Sequence, residues 1–377
     1  MALELYIFFF VTIAYGLFIA LAVIGFNRLT HKGSLKETNS NHLFFSIVLS
    51  ARNEEKTIEQ CLQQLIKQRF PVQNFEIILI DDSSEDSTFN LATNVLEQSS
   101  ISFQVFKETA HQGKKKNISK AISLAKGSII ITTDADVVFR FDNWLSTIAH
   151  YFETQRPEML LMPVDFETES GILPTFQIIE NIALTAITAG YAGIKKPFMC
   201  NGANLAFTKI AYEKAGGYQS HINVSSGEDV FLMEDIKKTH TKTIHYALFK
   251  ALIVKTKAET QIVSFFNQRI RWAYKVKHNS NLLNLSAGFI IIMANLLMPA
   301  LLVAIINKSA IIPYLSIFVL VKFVFDFLLL FLASNYLGRL NYVIWIIPFQ
   351  CMYWLYALII GICSLIVKPY WKDKKIK

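Results

Sequence analysis

Ser128-Ile129-Ile130-Ile131-Thr132-Thr133-Asp134-Ala135-Asp136 joins an unbroken β-branched run to two carboxylates one residue apart. Such a run reads as a strand buried on both faces. In an open α/β sheet, a strand of this kind carries its last residues to the carboxyl edge, where ligands bind. Two carboxylates there suit a hard divalent ion such as Mg²⁺ or Mn²⁺, which takes oxygen ligands and shares them with substrate phosphates. The plainer reading is a polar turn after a strand, since Asp is common in turns. The rest of the chain decides between them.

Upstream, the same pattern repeats. A strand is expected from Phe44 to Leu49, ending in Ser50-Ala51-Arg52-Asn53-Glu54-Glu55, and a helix from about Glu55 to Gln68. A second strand, Phe75 to Ile80, ends in Asp81-Asp82-Ser83-Ser84, before a helix opening with Ser84, Glu85 and Asp86. A third is expected near Phe103 to Phe106. His111-Gln112-Gly113-Lys114-Lys115-Lys116-Asn117 then leads into a helix reaching Ala125. The alternation predicts a mostly parallel, Rossmann-like sheet with right-handed crossovers. Polar clusters fall at three of its four strand ends, which favours a ligand site over a chance turn.

The 377 residues are 53% hydrophobic, with 30 Phe and a net charge of +8. Long apolar segments account for that excess, so a membrane protein is expected. The basic residues flank those segments, which reads as membrane-edge charge rather than a nucleic-acid surface. The four cysteines, Cys61, Cys200, Cys351 and Cys363, show neither CxxC nor zinc spacing. Residues 1–27 are expected to be an uncleaved anchor. No Lys or Arg precedes the apolar run, which is also too long for a signal-peptide core. Arg28, Lys32 and Lys36 follow, placing the downstream domain in the cytoplasm, at the plasma (inner) membrane in a bacterium. Residues 28–43 read as a linker and 44–250 as the α/β domain. Residues 251–284 read as amphipathic interfacial helices, 285–367 as about three spans, and 368–377 as a basic tail. Residues 174–194 are apolar, with Glu180 and Asn181 embedded. They read as a buried or interfacial helix, because a span there would carry half of the α/β domain across the bilayer. Lys322 and Asp326, four residues apart within a span, read as a neutralising pair. Four spans would put the lysine-rich tail outside, against the positive-inside rule. A re-entrant C-terminal segment or an overridden tail bias would resolve that.

Asn53, Glu54, Asp82, Asp134-Ala135-Asp136, Glu228-Asp229 and Gln268-Arg269-Ile270-Arg271-Trp272 occur in one order along the chain. That order resembles membrane-bound family 2 glycosyltransferases of the GT-A fold, the group of cellulose, chitin and hyaluronan synthases and ceramide glucosyltransferase. The resemblance covers residues 44–272 and, more loosely, the flanking spans. It implies an inverting transferase moving a sugar from a nucleotide-diphosphate donor, a UDP-sugar, to a lipid, lipid-linked or growing-glycan hydroxyl. It implies that Ala51, Asn53, Glu54 and Asp82 hold the nucleoside, and that Lys114, Asp134 and Arg271 lie along the donor. Asp136, with Asp134, would hold Mg²⁺ or Mn²⁺. Asp229 would be the general base, supported by Glu228, and Gln268, Trp272 and Gly202 would face the acceptor. Lys115 and Lys116 read as a solvated face. Cys200-Asn201-Gly202 departs from the Cys-Gly pattern of the processive synthases by an inserted Asn201. That tilts the reading towards a single transfer, with a polysaccharide-extruding synthase or a catalytically silent nucleotide-sugar-binding scaffold as the alternatives.

Overall fold

The computed structural model describes residues 2–30, 42–222, 227–239, 243–277, 281–367, 370–371 and 374–375. Most of the expected linker and of the basic tail lies outside them. The chain forms two compact units: residues 29–167 with 199–257, and residues 1–28 with 168–198 and 258–377. The expected continuous domain 44–250 is therefore interrupted at 168–198.

In chain order the elements begin with helix α1 (Ala2–Thr30), then β1 (Phe45–Ala51), α2 (Ile58–Ile66), β2 (Phe75–Asp81), α3 (Thr88–Glu97), β3 (Ser102–Lys107), α4 (Lys114–Leu124) and β4 (Ile129–Asp134). Next come β5 (Val138–Phe139), α5 (Trp144–Gln155), β6 (Met159–Leu161), β7 (Val164–Phe166), α6 (Ile172–Gly193), β8 (Asn204–Thr208), α7 (Lys209–Lys214), α8 (Glu228–Thr239), β9 (Ile244–Tyr246) and β10 (Val254–Thr256). The chain continues through α9 (Ile262–Lys277), α10 (Leu282–Asn295), α11 (Leu297–Ile306), α12 (Ile312–Leu337) and α13 (Ile346–Ile366).

The first unit is built on a seven-stranded sheet in the order β3-β2-β1-β4-β8-β6-β9. The first four strands are mutually parallel, and β8 runs antiparallel between β4 and β6. The β-branched runs of β1, β2 and β4 are buried along both faces, as a sheet covered by helices requires. Helix α2 lays Ile58, Cys61, Leu62 and Leu65 on that core. A second sheet, β5-β10-β7, pairs Val254 with Phe139 and Val164. This corrects the start of the expected amphipathic segment: residues 251–257 belong to the α/β unit, and the basic helix begins at Ile262. Val254 is fully buried, and its place in the sheet overrides the charge of Lys250, Lys255 and Lys257.

The second unit holds the long apolar helices. Among the described residues, five helical stretches are long and apolar enough to cross a membrane: 3–30, 172–193, 282–306, 312–337 and 340–366. Helix α6 is among them by length and composition, beyond the four counted from sequence. Strands from before and after α6, β6 and β8, pair in one sheet. A full crossing by α6 would divide that sheet between the two faces of a bilayer. Lys322 Nζ sits 2.8 Å from Asp326 Oδ2, and Tyr15 donates its hydroxyl to Asp326, so these two charges of α12 pair as expected. Helices α1 and α6 touch backbone to backbone. A Cβ on Gly25 would lie 1.7 Å from the Gly190 carbonyl oxygen, and one on Gly190 2.2 Å from the Ala22 oxygen. Only glycine permits this approach, which in apolar helices supplies the association energy. Gly190→Val is expected to cost about 3 kcal/mol or more, read as a large loss of folded protein by size exclusion in detergent. An unchanged elution profile and Tm would show that the helices do not pack this way.

Candidate active site

Strand register brings the expected residues to one edge. Parallel pairing sets Ala51 opposite Asp81 and Ser50 opposite Asp134. The loops that follow are tied across this edge. Asn53, at a left-handed φ of 52°, donates its N–H to Ser84 Oγ (3.0 Å) and accepts from the Glu85 N–H (3.0 Å). Glu54 donates its N–H to Thr88 Oγ1 at 2.7 Å. Asp82 is buried and accepts from the N–H groups of Gln112 (2.7 Å) and Gly113 (3.1 Å), with His111 Nδ1 2.6 Å away. Gly113 holds φ +89° to make that turn, a conformation open to glycine and strained for other residues.

Lys114 opens α4 directly after this turn. Its ammonium lies 2.5 Å from Asp134 Oδ1 and 3.1 Å from Glu228 Oε1, joining the end of β4 to the start of α8. Burial alone would lower its pKa, but the Asp134 and Glu228 carboxylates outweigh that and hold it above the ordinary lysine range. Asp229, the next residue, is buried; its Oδ2 accepts the Gly202 N–H at 3.0 Å and its Oδ1 the Val230 N–H at 2.9 Å. Gly202 thus fixes the Asp229 carboxylate through its backbone, and Thr132 Oγ1 holds the Gly202 carbonyl at 3.0 Å. Asp136 accepts from Thr256 Oγ1 at 3.1 Å.

Burial, then Asp134 and Glu54, push the Asp136 carboxyl up to about 6. Three acids crowd one place, and that surplus of negative charge fits a divalent cation. Among the described residues no group of three or more His, Cys, Asp or Glu side chains is arranged to hold a metal unaided. Asp134 and Asp136 leave the remaining positions for other oxygens, which suits Mg²⁺ or Mn²⁺ shared with a diphosphate. A carboxyl raised in the folded state adds stability below its ordinary range and loses it as pH climbs through about 6. Asp136→Asn should therefore raise the Tm of metal-free protein at pH 8 and change it little at pH 4. Equal shifts at both pH values would remove the charge argument.

Ten expected residues thus gather in one unit: Ala51, Asn53, Glu54, Asp82, Lys114, Asp134, Asp136, Gly202, Glu228 and Asp229. Gln268, Arg271 and Trp272 lie on α9 in the other unit. There Gln268 Nε2 donates to Glu259 Oε1 at 3.2 Å, and the Arg269 guanidinium lies 4.3 Å from the Trp272 ring centre. One expectation is corrected: Lys115 is buried, not solvated. Its ammonium bonds the His221 carbonyl at 2.6 Å and lies over the Phe231 ring. Lys116 is exposed as expected.

Sequence reasoning missed Thr256, which reaches Asp136 only through the pairing of β10 with β5 and β7. It also missed the clamp of His111, Gln112 and Gly113 on Asp82, although the glycine before a helix was a usable signal. Tyr218 is a third omission. Burial, then the charge of Glu228, push its phenol well above the ordinary range, with Asp229 adding to the effect. The preceding Gly217 (φ +60°) has no room for a side chain against Tyr212, a restriction that marks Gly216-Gly217-Tyr218 as a packing motif.

Residues 46–213 match the family model described as glycosyl transferase family 2. Those residues form a family 2 glycosyl transferase domain of the GT-A fold. The chain is 25% identical over 248 residues to a probable glycosyltransferase, YdaM, of Bacillus subtilis, covering 60% of this chain and 54% of the relative. It is 27% identical over 173 residues to the 4,4'-diaponeurosporenoate glycosyltransferase of Staphylococcus aureus, covering 45% of this chain and 44% of that one. The matches thus span about half the length of these curated relatives. Among solved structures, a mannosyltransferase of Pyrobaculum calidifontis in complex with GDP-Man and Mn²⁺ is similar in fold. It has a TM-score of 0.59 at 16% identity, covering 97% of this chain and 99% of that chain.

Proposed function

We propose that this family 2 glycosyl transferase domain belongs to a membrane-bound, inverting, metal-dependent enzyme that transfers a sugar from a nucleoside-diphosphate donor to a lipid or glycan hydroxyl. The α/β domain would face the cytoplasm. The observation that carries the reading is the chain of contacts from Asp82 through Gly113 and Lys114 to Asp134 and Glu228, with Asp229 beside them.

In this reading Asp82, Asn53, Glu54 and the Ala51 strand end receive the base and ribose of a UDP-sugar. Asp134 and Asp136 would hold Mg²⁺ or Mn²⁺, which when bound neutralises charge on the departing diphosphate. Lys114 adds a fixed positive charge beside the same place. The acceptor oxygen attacks the anomeric carbon, forming the new C–O bond as the bond to the diphosphate oxygen breaks. The hydroxyl proton passes to Asp229, and the electron pair leaves with the nucleotide. Both Asp229 oxygens accept backbone N–H groups, which orients the carboxylate before the reaction. One displacement inverts the anomeric centre. Arg271, Gln268 and Trp272 are assigned to the diphosphate and acceptor on the resemblance alone.

Calorimetric titration of the detergent-purified protein with UDP and GDP, with and without Mn²⁺, tests the donor site. Metal-dependent binding that falls at least tenfold in Asp136→Ala is expected. A folded protein that binds neither nucleotide under either condition would overturn the donor assignment.

A further inference from the structure

The apolar unit contains a cavity of about 100 Å³ that the transferase chemistry does not use. It is lined by residues of α1, α6, α10, α12 and α13, among them the polar Tyr15, Glu180, Asn295, Lys322, Asp326, Gln350 and Tyr353. A smaller pocket of about 10 Å³ shares Asn295, Lys322 and Gln350 with it. The charged members are already matched. Lys322 pairs with Asp326 at 2.8 Å, and Glu180 with Arg269 at 2.7 Å, while Tyr356 also donates to Glu180. Arg269 itself is not among the lining residues.

Gln350 differs from these. Its side chain is 93% buried (relative exposure 7%), and neither its amide nitrogen nor its amide oxygen has a hydrogen-bond partner among the described residues. A buried amide left in this state has given up its hydration without a replacement partner, which disfavours an empty cavity. We infer that this cavity binds the hydroxyl end of a neutral lipid, with Gln350 as its polar contact. The inference rests on reading this unit as membrane-embedded, and it does not depend on the transferase reaction.

The chemistry selects the ligand class. Gln350 offers a donor and an acceptor side by side, and a hydroxyl both donates and accepts, so one hydroxyl can satisfy both. A lipid phosphate would bring net negative charge to a cavity whose lining cation, Lys322, is already paired. An amine would meet carboxylates that are also paired. The volume holds about three waters' worth of space, enough for a hydroxyl and a few carbons, with the remaining alkyl chain lying along the apolar lining. Water alone is the competing occupant.

The test uses the full chain in phosphatidylcholine nanodiscs and a diazirine-bearing hexadecanol, with photolabelled peptides mapped by mass spectrometry. Labelling is expected to concentrate on α12 and α13 around Lys322 and Gln350. Dioleoylglycerol should compete for it, and dioleoyl phosphatidic acid should not. Gln350→Leu should reduce it at least fivefold without lowering the Tm. Ala183→Leu narrows the cavity without touching Gln350 and should reduce labelling as well. Asp229→Asn should label as the wild type does, which separates this site from turnover. Labelling spread evenly over the lipid-facing helices, labelling indifferent to both cavity variants, or equal competition by phosphatidic acid would each overturn the inference and leave water as the occupant.

Discussion

Asp229→Asn is expected to lower kcat by about 10³-fold while leaving the donor KM within about twofold. The substitution keeps the shape of the side chain and an oxygen able to accept the Gly202 N–H, which now lies 3.0 Å from Oδ2. What it removes is the capacity to take a proton from the acceptor hydroxyl. Glu228 cannot substitute, because its carboxylate is engaged by Lys114 at 3.1 Å. Steady-state kinetics with an unchanged melting curve would read the effect. A variant retaining a third or more of wild-type kcat would show that another group is the base.

The second large effect lies in the apolar unit. Arg269→Met is expected to destabilise the protein by about 3–5 kcal/mol, because it leaves the Glu180 carboxylate without its cation. The pair is almost wholly buried, with side chains 3% and 8% exposed and Arg269 Nε 2.7 Å from Glu180 Oε2. The guanidinium also lies over the Phe265 and Trp272 rings, so packing is lost along with charge. The double change Arg269→Met with Glu180→Gln removes both charges and should recover much of the loss. Thermal unfolding in detergent distinguishes the cases. If the double variant is as unstable as the single one, packing rather than an orphaned charge is the cause.

The parallel half of the sheet was legible because four strand runs alternate with helical periodicity, three of them apolar, β-branched and ending in polar clusters. Each of those strands was placed within about two residues, and the acids at their ends converge as the strand order requires. The segments that failed to announce themselves are those set by tertiary pairing. Strand β10 sits in a run of lysines whose charge suggested a membrane surface, yet Val254 is fully buried between β5 and β7. Lys115 looked like part of a solvated basic run. Its burial depends on the His221 carbonyl and the Phe231 ring, which lie more than a hundred residues further along the chain. The asparagine of Cys200-Asn201-Gly202-Ala203-Asn204 gives a similar lesson. Asn204 follows the Cys200-Asn201-Gly202 motif by two residues. In the fold it is fully buried, donating to the Pro163 and Leu252 carbonyls at 2.8 Å and accepting from the Trp144 indole at 3.2 Å. No local periodicity foretells such a network. The Arg269–Glu180 pair was hidden for the same reason, because its members lie 89 residues apart and the motif directed attention to Arg271 instead.

The most direct test of the central claim is a transfer assay on the full chain. Membranes containing the wild type, Asp229→Asn or Asp136→Ala would be incubated with Mn²⁺ and each of a panel of radiolabelled UDP- and GDP-sugars, and label would be followed into the lipid and polymer fractions. Incorporation from one donor, lost in both variants although each remains folded, is the predicted result. Folded wild-type protein that incorporates no label from any donor, or incorporation equal in all three proteins, would contradict it.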